Sequence, residues 1–130
     1  MEYRVVIRGK LPNLNDYLSA ERIRIKTPRG ITTKGNILKQ NTQKDILEYL
    51  NYQLKGKKIH EPVSIHYHFF EPNKKRDLDN VASFCMKVFQ DALTKGGYLS
   101  NDGWNNIKGF TCDFDVDTTN PRIEISIKER

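Results

Sequence analysis

Alternating apolar and polar positions mark four segments of the chain as β-strands. The alternation is regular in Tyr3–Arg8, Val63–Phe70 and Arg122–Lys128, which are rich in β-branched and aromatic residues. Ile107–Val116 is a fourth, less regular candidate. The turn-forming residues of Thr118–Pro121 separate the last two segments, so the pattern predicts that these two strands form a hairpin.

Two longer segments repeat their apolar residues at helical spacing. Asn80–Lys95 carries the clearer stripe, at positions i, i+3, i+4, i+7 and i+11, and Thr33–Leu54 carries a weaker one. Asp79 or Asn80 is the expected N-cap of the second helix. The order of elements predicts an α+β fold in one domain, residues 1–130. Two main helices are expected to pack against a mixed four-stranded sheet.

The region between the first strand and the first helix has no firm period. Leu11–Tyr17 is rich in turn-forming residues, and Leu18–Thr33 is interpreted as a mobile basic arm or loop. The basic residues of this arm are Arg22, Arg24, Lys26 and Arg29. Either the arm is a solvated loop without a partner, or its cations replace counterions on a DNA backbone.

Composition favours a nucleic acid as the partner. The 130 residues carry a net charge of +6, which favours an anionic partner but does not define a fold. The two cysteines lack metal-ligand spacing and are expected to be reduced core thiols. No secretory signal and no apolar run near 20 residues is visible, so we expect a soluble, cytoplasmic protein.

The chemistry concentrates where the second strand leads into the second helix. Asp77 and Asp79 follow the basic run Lys74-Lys75-Arg76. In extended backbone these two carboxylates point the same way, about two rises of 3.3 Å apart. This spacing suits hard cations such as Mg²⁺, which take oxygen ligands. Helix capping is the alternative role for one of the two aspartates.

Two further residues extend this candidate site. Asp102 follows the same helix on an Asn-Asp-Gly turn and would reach Asp77 if the third and second strands pair. Lys87 lies on the polar side of the helix, about two turns in, where it would reach a scissile phosphate or a nucleophilic water. The alternative for Lys87 is a surface pair with Asp91 at i, i+4.

Other polar residues fit simpler interpretations. His66 and His68 are spaced to touch one metal ion, but no third ligand completes a zinc set, so they are expected to line a partly exposed strand face. Asp113, Asp115 and Asp117 resemble the start of a calcium loop without its glycine and terminal glutamate. They are interpreted as a solvated strand face.

The stretch from Arg76 to Asp102 resembles the RusA family of Holliday junction resolvases. The residues that carry the resemblance are K-K-R-D-L-D-N, then D-A-L-T-K-G-G, then the N-D-G-W turn. The resemblance extends more loosely to the first strand and the C-terminal hairpin. It implies a homodimeric, magnesium-dependent endonuclease that cuts four-way DNA junctions by paired phosphodiester hydrolysis in recombination and repair.

The resemblance also implies roles for individual residues. The family's metal carboxylates fall on Asp77, Asp79 and Asp102, which would hold one or two Mg²⁺ ions per subunit, or Mn²⁺. Its essential lysine falls on Lys87 when counted back from the D-A-L-T-K segment, and on Ser83 when counted forward from Asp77. Lys87 is preferred because an insertion of about one helical turn keeps the same face.

The basic residues complete the expected mechanism. Lys74, Lys75 and Arg76 would steer DNA toward the metal. No organic cofactor and no membrane association is expected. Two alternatives remain open: a non-catalytic protein that binds branched DNA, and a magnesium nuclease specific for flaps or forks.

Overall fold

The computed structural model describes all 130 residues and contains one main sheet with three helices. The main sheet holds four strands, and a separate two-stranded sheet holds two more. The strands are β1 (Glu2–Arg8), β2 (Arg24–Thr27), β3 (Gly30–Thr33), β4 (Val63–Glu71), β5 (Ile107–Val116) and β6 (Arg122–Glu129). The helices are α1 (Leu14–Glu21), α2 (Lys34–Leu54) and α3 (Leu78–Lys95). The predicted α+β class and mixed four-stranded sheet are therefore confirmed.

The sheet order is β1-β6-β4-β5, which makes the predicted hairpin of the last two strands wrong. β5 pairs in parallel with β4, and β6 pairs antiparallel with the opposite edge of β4 and with β1. The five residues 117–121 therefore cross the end of β4 instead of forming a tight turn. Such a segment reaches at most about 16 Å, enough to cross two strand spacings of about 10 Å. The turn residues do not distinguish these two routes.

One face of the sheet and the helices share a single hydrophobic core. Alternate residues of β4 are fully buried, and Tyr67 stacks beside Phe69 while meeting Phe89 of α3 edge to face. The apolar stripe of α3 provides most of the remaining helical side of this core. Burial raises the pKa of the free Cys85 thiol. None of the helices has an apolar stretch long enough to cross a bilayer.

The segment interpreted as a turn-rich loop and mobile arm contains regular structure. α1 begins with a capping box in which Asn13 and Asp16 exchange hydrogen bonds between side chain and backbone. β2 and β3, with four residues each, then form a hairpin that ends at Thr33, the N-cap of α2. Helix α1 buries no residue completely, so its apolar pattern is too weak to distinguish it from a loop.

The two predicted helices occur close to their predicted bounds, but the N-cap of α3 differs. Asp77 occupies the N-cap position, two residues before Asp79 and three before Asn80, and its side chain makes no capping hydrogen bond. The helix therefore begins directly after the basic run. Both aspartates of the candidate site lie at the helix N-terminus, where the helix dipole favours negative charge.

Candidate metal centre and DNA-binding surface

Asp77 and Asp79 lie at the N-terminus of α3 and are exposed. Most acidic side chains of the protein accept a hydrogen bond or form an ion pair, whereas these two carboxylates do neither. Two unpartnered carboxylates at a helix N-terminus are free to accept a cation. Oxygen donors of this kind are the ligands that Mg²⁺ and Mn²⁺ prefer.

A cleft of about 610 Å³ opens beside Asp77. Its lining combines acidic, basic and apolar side chains from the ends of β4 and β5 and the start of α3. The charged members are Glu71, Lys74, Arg76, Asp77 and Asp115, and the apolar members are Leu78, Phe114 and Val116. The rim that carries Asp77 and Asp79 is the candidate metal-binding rim, and it lies beside an apolar wall.

Arg76 is held inside the protein rather than extended toward solvent. Its Nε and Nη2 atoms donate to the two oxygens of Glu71 at 2.8 and 2.9 Å, and its Nη1 donates to the carbonyl oxygen of Leu11 at 2.7 Å. The side chains of Arg76 and Glu71 are only 15% and 11% exposed. This two-point ion pair fixes the backbone immediately before Asp77, a role that the basic run did not reveal.

Asp102 lies at the opposite end of the sheet from Asp77 and Asp79. β4 and β5 do pair, which was the condition for Asp102 to reach Asp77, but their parallel register pairs Val63 with Ile107 at one end and Glu71 with Val116 at the other. Asp102 precedes the first end and Asp77 follows the second. Eight strand rises separate the two ends by about 26 Å, and the length of α3 gives about 27 Å. The two sites cannot share an ion within one subunit.

No group of three metal-binding side chains converges within the single chain. A magnesium ion holds its oxygens about 2.1 Å away, so two ligands of one ion lie within about 4 Å of each other. The expectation that the three aspartates converge within one subunit is thus not met. Asp102, like the other two, has a side chain without a hydrogen bond or an ion pair.

Glu61 organises the turn that carries Asp102, a role that no motif in the sequence indicates. Its carboxylate accepts hydrogen bonds from the backbone N–H and the hydroxyl of Ser100, and from Nδ2 of Asn106 at 2.6 Å. Burial raises the pKa of Glu61, but the hydrogen bonds from Asn106 and Ser100 outweigh burial and hold it below its ordinary value. The turn is therefore tied to the start of β4.

We expect Glu61→Gln to destabilise the protein by loosening this turn. The free energy of unfolding of the variant should also depend less on pH. Because the folded-state pKa is depressed, the stabilisation is present above the unfolded pKa of about 4.3 and is lost as the pH falls through the folded value. At pH 7 the variant should lose on the order of 1 kcal/mol. Urea denaturation at pH 7 and pH 3.5 measures the difference in free energy of unfolding between the wild type and the variant. An equal loss of stability at both pH values would contradict the prediction.

Lys87 forms the surface pair that was its alternative interpretation. Its Nζ lies 3.2 Å from Oδ1 of Asp91, and Lys39 of α2 approaches the same carboxylate at 3.7 Å. The Lys87 side chain is 61% exposed, so it is free to move to another anion. Ser83 lies one turn nearer the aspartates, and its hydroxyl donates to the backbone oxygen of Asp79.

The basic residues proposed to contact DNA fall in two groups. Lys74 and Lys75 are exposed beside the cleft. The other group lies on the hairpin and its approach: Arg22, Arg24, Lys26 and Arg29. These four side chains are exposed and form no salt bridge, so their charge remains available to an anionic ligand.

The histidines and aspartates on the open face of the sheet bind one another. His66 lies 3.1 Å from Asp113, and His68 lies 2.6 Å from Asp115. Asp117 accepts from Arg122, whose guanidinium lowers the pKa of that carboxyl. The exposed strand face was predicted correctly, but its residues form cross-strand pairs instead of being separately solvated.

An α+β domain with free carboxylates at a helix N-terminus and exposed cations nearby has the features of a metal-dependent enzyme acting on nucleic acid. The family model described as endodeoxyribonuclease RusA matches residues 20–128. The chain therefore belongs to the RusA endodeoxyribonuclease family, as the resemblance predicted. Membership makes it an endodeoxyribonuclease, and it implies Holliday junction resolvase activity. A search of curated proteins finds no match to the chain.

Proposed function

We propose that this protein is a magnesium-dependent homodimer that cuts four-way DNA junctions in two opposed strands. The observation that carries the proposal is the placement of three unpartnered aspartates at the two ends of one subunit. Within one chain the three aspartates are divided between two distant ends. A two-fold axis that brings the Asp77 end of each subunit to the Asp102 end of the other would assemble all three aspartates at two sites.

The dimer would therefore build two composite sites. In each site Asp77 and Asp79 come from one subunit and Asp102 comes from the other. Without a cation, three converging carboxylates repel each other and the DNA phosphate. Assembly of the site and binding of the metal are thus expected to depend on each other.

The residues of the chain have separable tasks in cleavage. When bound, Mg²⁺ supplies an activated water and neutralises charge on the phosphate oxygens. Asp77, Asp79 and Asp102 would hold the cation, and the Arg76–Glu71 pair keeps the first aspartate in place. Lys87 would move from Asp91 to the scissile phosphate, where a fixed positive charge stabilises the transition state.

The exposed cations would provide affinity without sequence preference. Each lysine or arginine that contacts phosphate releases condensed counterions, so junction affinity should fall steeply as salt rises. Lys74 lines the cleft and Lys75 follows it in sequence, whereas the hairpin residues lie next to the start of α2. Two symmetric sites would suit a four-way junction, which requires paired cuts in two strands.

A labelled synthetic four-way junction tests the proposal directly. We expect symmetric paired cleavage with Mg²⁺ or Mn²⁺ and binding alone in EDTA. Flap, fork and linear duplexes of the same sequence serve as competing substrates. Faster cleavage of flaps or forks than of the junction would reassign the substrate, and metal-independent cleavage would contradict the proposed mechanism.

The helix offers a matched pair of variants for the lysine role. We expect Lys87→Ala to lower the cleavage rate by about 100-fold, the usual scale for losing one charge-stabilising group. It should leave the thermal unfolding temperature nearly unchanged, because an exposed i, i+4 pair contributes only about 0.3–0.5 kcal/mol. Ser83→Ala is the control. Loss of cleavage in Ser83→Ala but not in Lys87→Ala would transfer the role to Ser83.

A further inference from the structure

The two edge strands of the main sheet differ in whether other residues hydrogen-bond to their outer side. At the β1 edge, the side-chain amide of Gln53 hydrogen-bonds to both backbone groups of Val6. Its Oε1 accepts from the Val6 N–H at 2.8 Å, and its Nε2 donates to the Val6 carbonyl oxygen at 2.7 Å. At the other edge, β5 pairs only with β4, and no element of the chain covers its outer side. An open strand of ten residues is a ready template for pairing with another strand.

The open edge also carries exposed apolar side chains. Phe110 is 55% exposed, Val116 is 45% exposed, and Trp104 in the preceding turn is 94% exposed. Large aromatic residues in this setting are typical anchors of protein interfaces. Trp104 lies two residues after Asp102, so any contact that fixes Trp104 also places this carboxylate.

The cleft beside Asp77 has the size and lining to receive such an anchor. Its volume is about 610 Å³, and Leu78, Phe114 and Val116 provide apolar surface. Leu78 is itself 56% exposed, although it lies between the two aspartates of the metal-binding rim. If the indole of Trp104 from a second subunit occupied this cleft, Asp102 of that subunit would lie close to the carboxylates of Asp77 and Asp79.

We infer that two copies of this chain pair through antiparallel β5 edges, with Trp104 of each subunit seated in the cleft of the other. The inference rests on the proposed function and specifies the dimer that completes its site. A two-fold axis at Phe110 places this residue opposite itself. The turn with Trp104 comes immediately before β5, and the cleft is lined by Phe114, Asp115 and Val116 at the other end of this strand, so antiparallel pairing brings the turn to the partner's cleft.

The charges of β5 agree with this register. With Phe110 on the axis, Asp113 and Asp115 run beside the start of the partner's β5, where the bulged Lys108 is the one charged residue. No like charges face each other directly, and the central pair is aromatic, the combination that stabilises cross-strand neighbours. An axis at Asp113 or Asp115 would instead oppose two identical negative charges.

Trp104 is the one tryptophan in the chain, so its emission reports on this contact alone. We expect its emission maximum to move to shorter wavelength as protein concentration rises and sedimentation shows dimers forming. Trp104→Ala should weaken dimerisation at least 10-fold, and Trp104→Phe should retain most of it. Tyr52→Ala is the control, since Tyr52 is 80% exposed on α2, away from β5.

Cross-linking tests the axis itself. Phe110→Cys in a Cys112→Ser background should form a covalent dimer under mild oxidation, because directly opposed strand residues lie close enough for a disulfide. Tyr52→Cys in the same background should not. Dimers that keep a solvent-exposed Trp104 emission, or that fail to cross-link at position 110, would overturn the inference.

Failure of the interface and failure of the function give different results. If Trp104→Ala stays dimeric and cleaves junctions at the wild-type rate, the assigned interface is wrong and the junction activity stands. If the wild-type protein shows the emission shift and the cross-link but cuts no junction with Mg²⁺, the interface stands and the proposed function is wrong.

Discussion

Mixing two inactive variants is expected to restore junction cleavage. Asp77→Asn and Asp102→Asn should each lower cleavage by at least about 100-fold, since even loss of a residue that supports a metal ligand costs 10–100-fold. Asparagine keeps the side-chain shape but is a weaker ligand for a hard cation. Junction binding should persist in both variants because the basic residues are unchanged.

The restoration follows from the division of the three aspartates between two subunits. In a mixed dimer, one composite site carries both substitutions, and the other carries neither. Random exchange of subunits makes half the dimers mixed, so about a quarter of the wild-type sites return. The product should be a nicked junction, because each mixed dimer has a single intact site.

The measurement is a nicking assay on a labelled junction after the two variants have been mixed and allowed to exchange. Asp79→Asn mixed with Asp77→Asn is the matched control, since both substitutions fall in the same half-site and every composite site stays damaged. Unchanged inactivity after mixing Asp77→Asn with Asp102→Asn would show that the sites are not shared. Wild-type cleavage by Asp102→Asn alone would remove this residue from the mechanism.

Removing the guanidinium of Arg76 is expected to destabilise the whole domain. Arg76→Ala leaves the Glu71 carboxylate, which is only 11% exposed, without its partner. Breaking a buried ion pair on one side costs about 3 kcal/mol or more. This loss is a large part of the stability of a typical domain, and it should lower the unfolding temperature by roughly 10 °C.

Two variants separate this structural role from DNA contact. Arg4→Ala removes an exposed pair with Glu124 and should cost less than about 1 kcal/mol. The double variant Arg76→Met with Glu71→Leu should recover much of the lost stability, because apolar replacements remove both buried charges. If Arg76→Ala unfolds at the wild-type temperature but binds junctions weakly, Arg76 contacts DNA instead.

The sequence determined the parts of this protein that depend on local pattern. The apolar stripe of α3 and the alternation in β4 fixed their type and approximate bounds, since burial of one face requires those spacings. The motifs between Lys74 and Trp104 together predicted the family to which the chain belongs. The hairpin of β2 and β3 was missed because four-residue strands with half-exposed faces leave little periodic signal.

Only the tertiary structure decided how these parts meet. The turn residues after β5 fit both a hairpin and a crossover, and pairing across the sheet selected the crossover. The parallel direction of β5 then placed Asp102 and Asp77 at opposite ends of strands that are about 26 Å long, although both residues flank the same helix in sequence. Burial likewise turned Arg76 inward to Glu71. Strand direction and side-chain burial depend on contacts between residues that are distant in sequence. A local pattern of apolar positions does not specify those contacts.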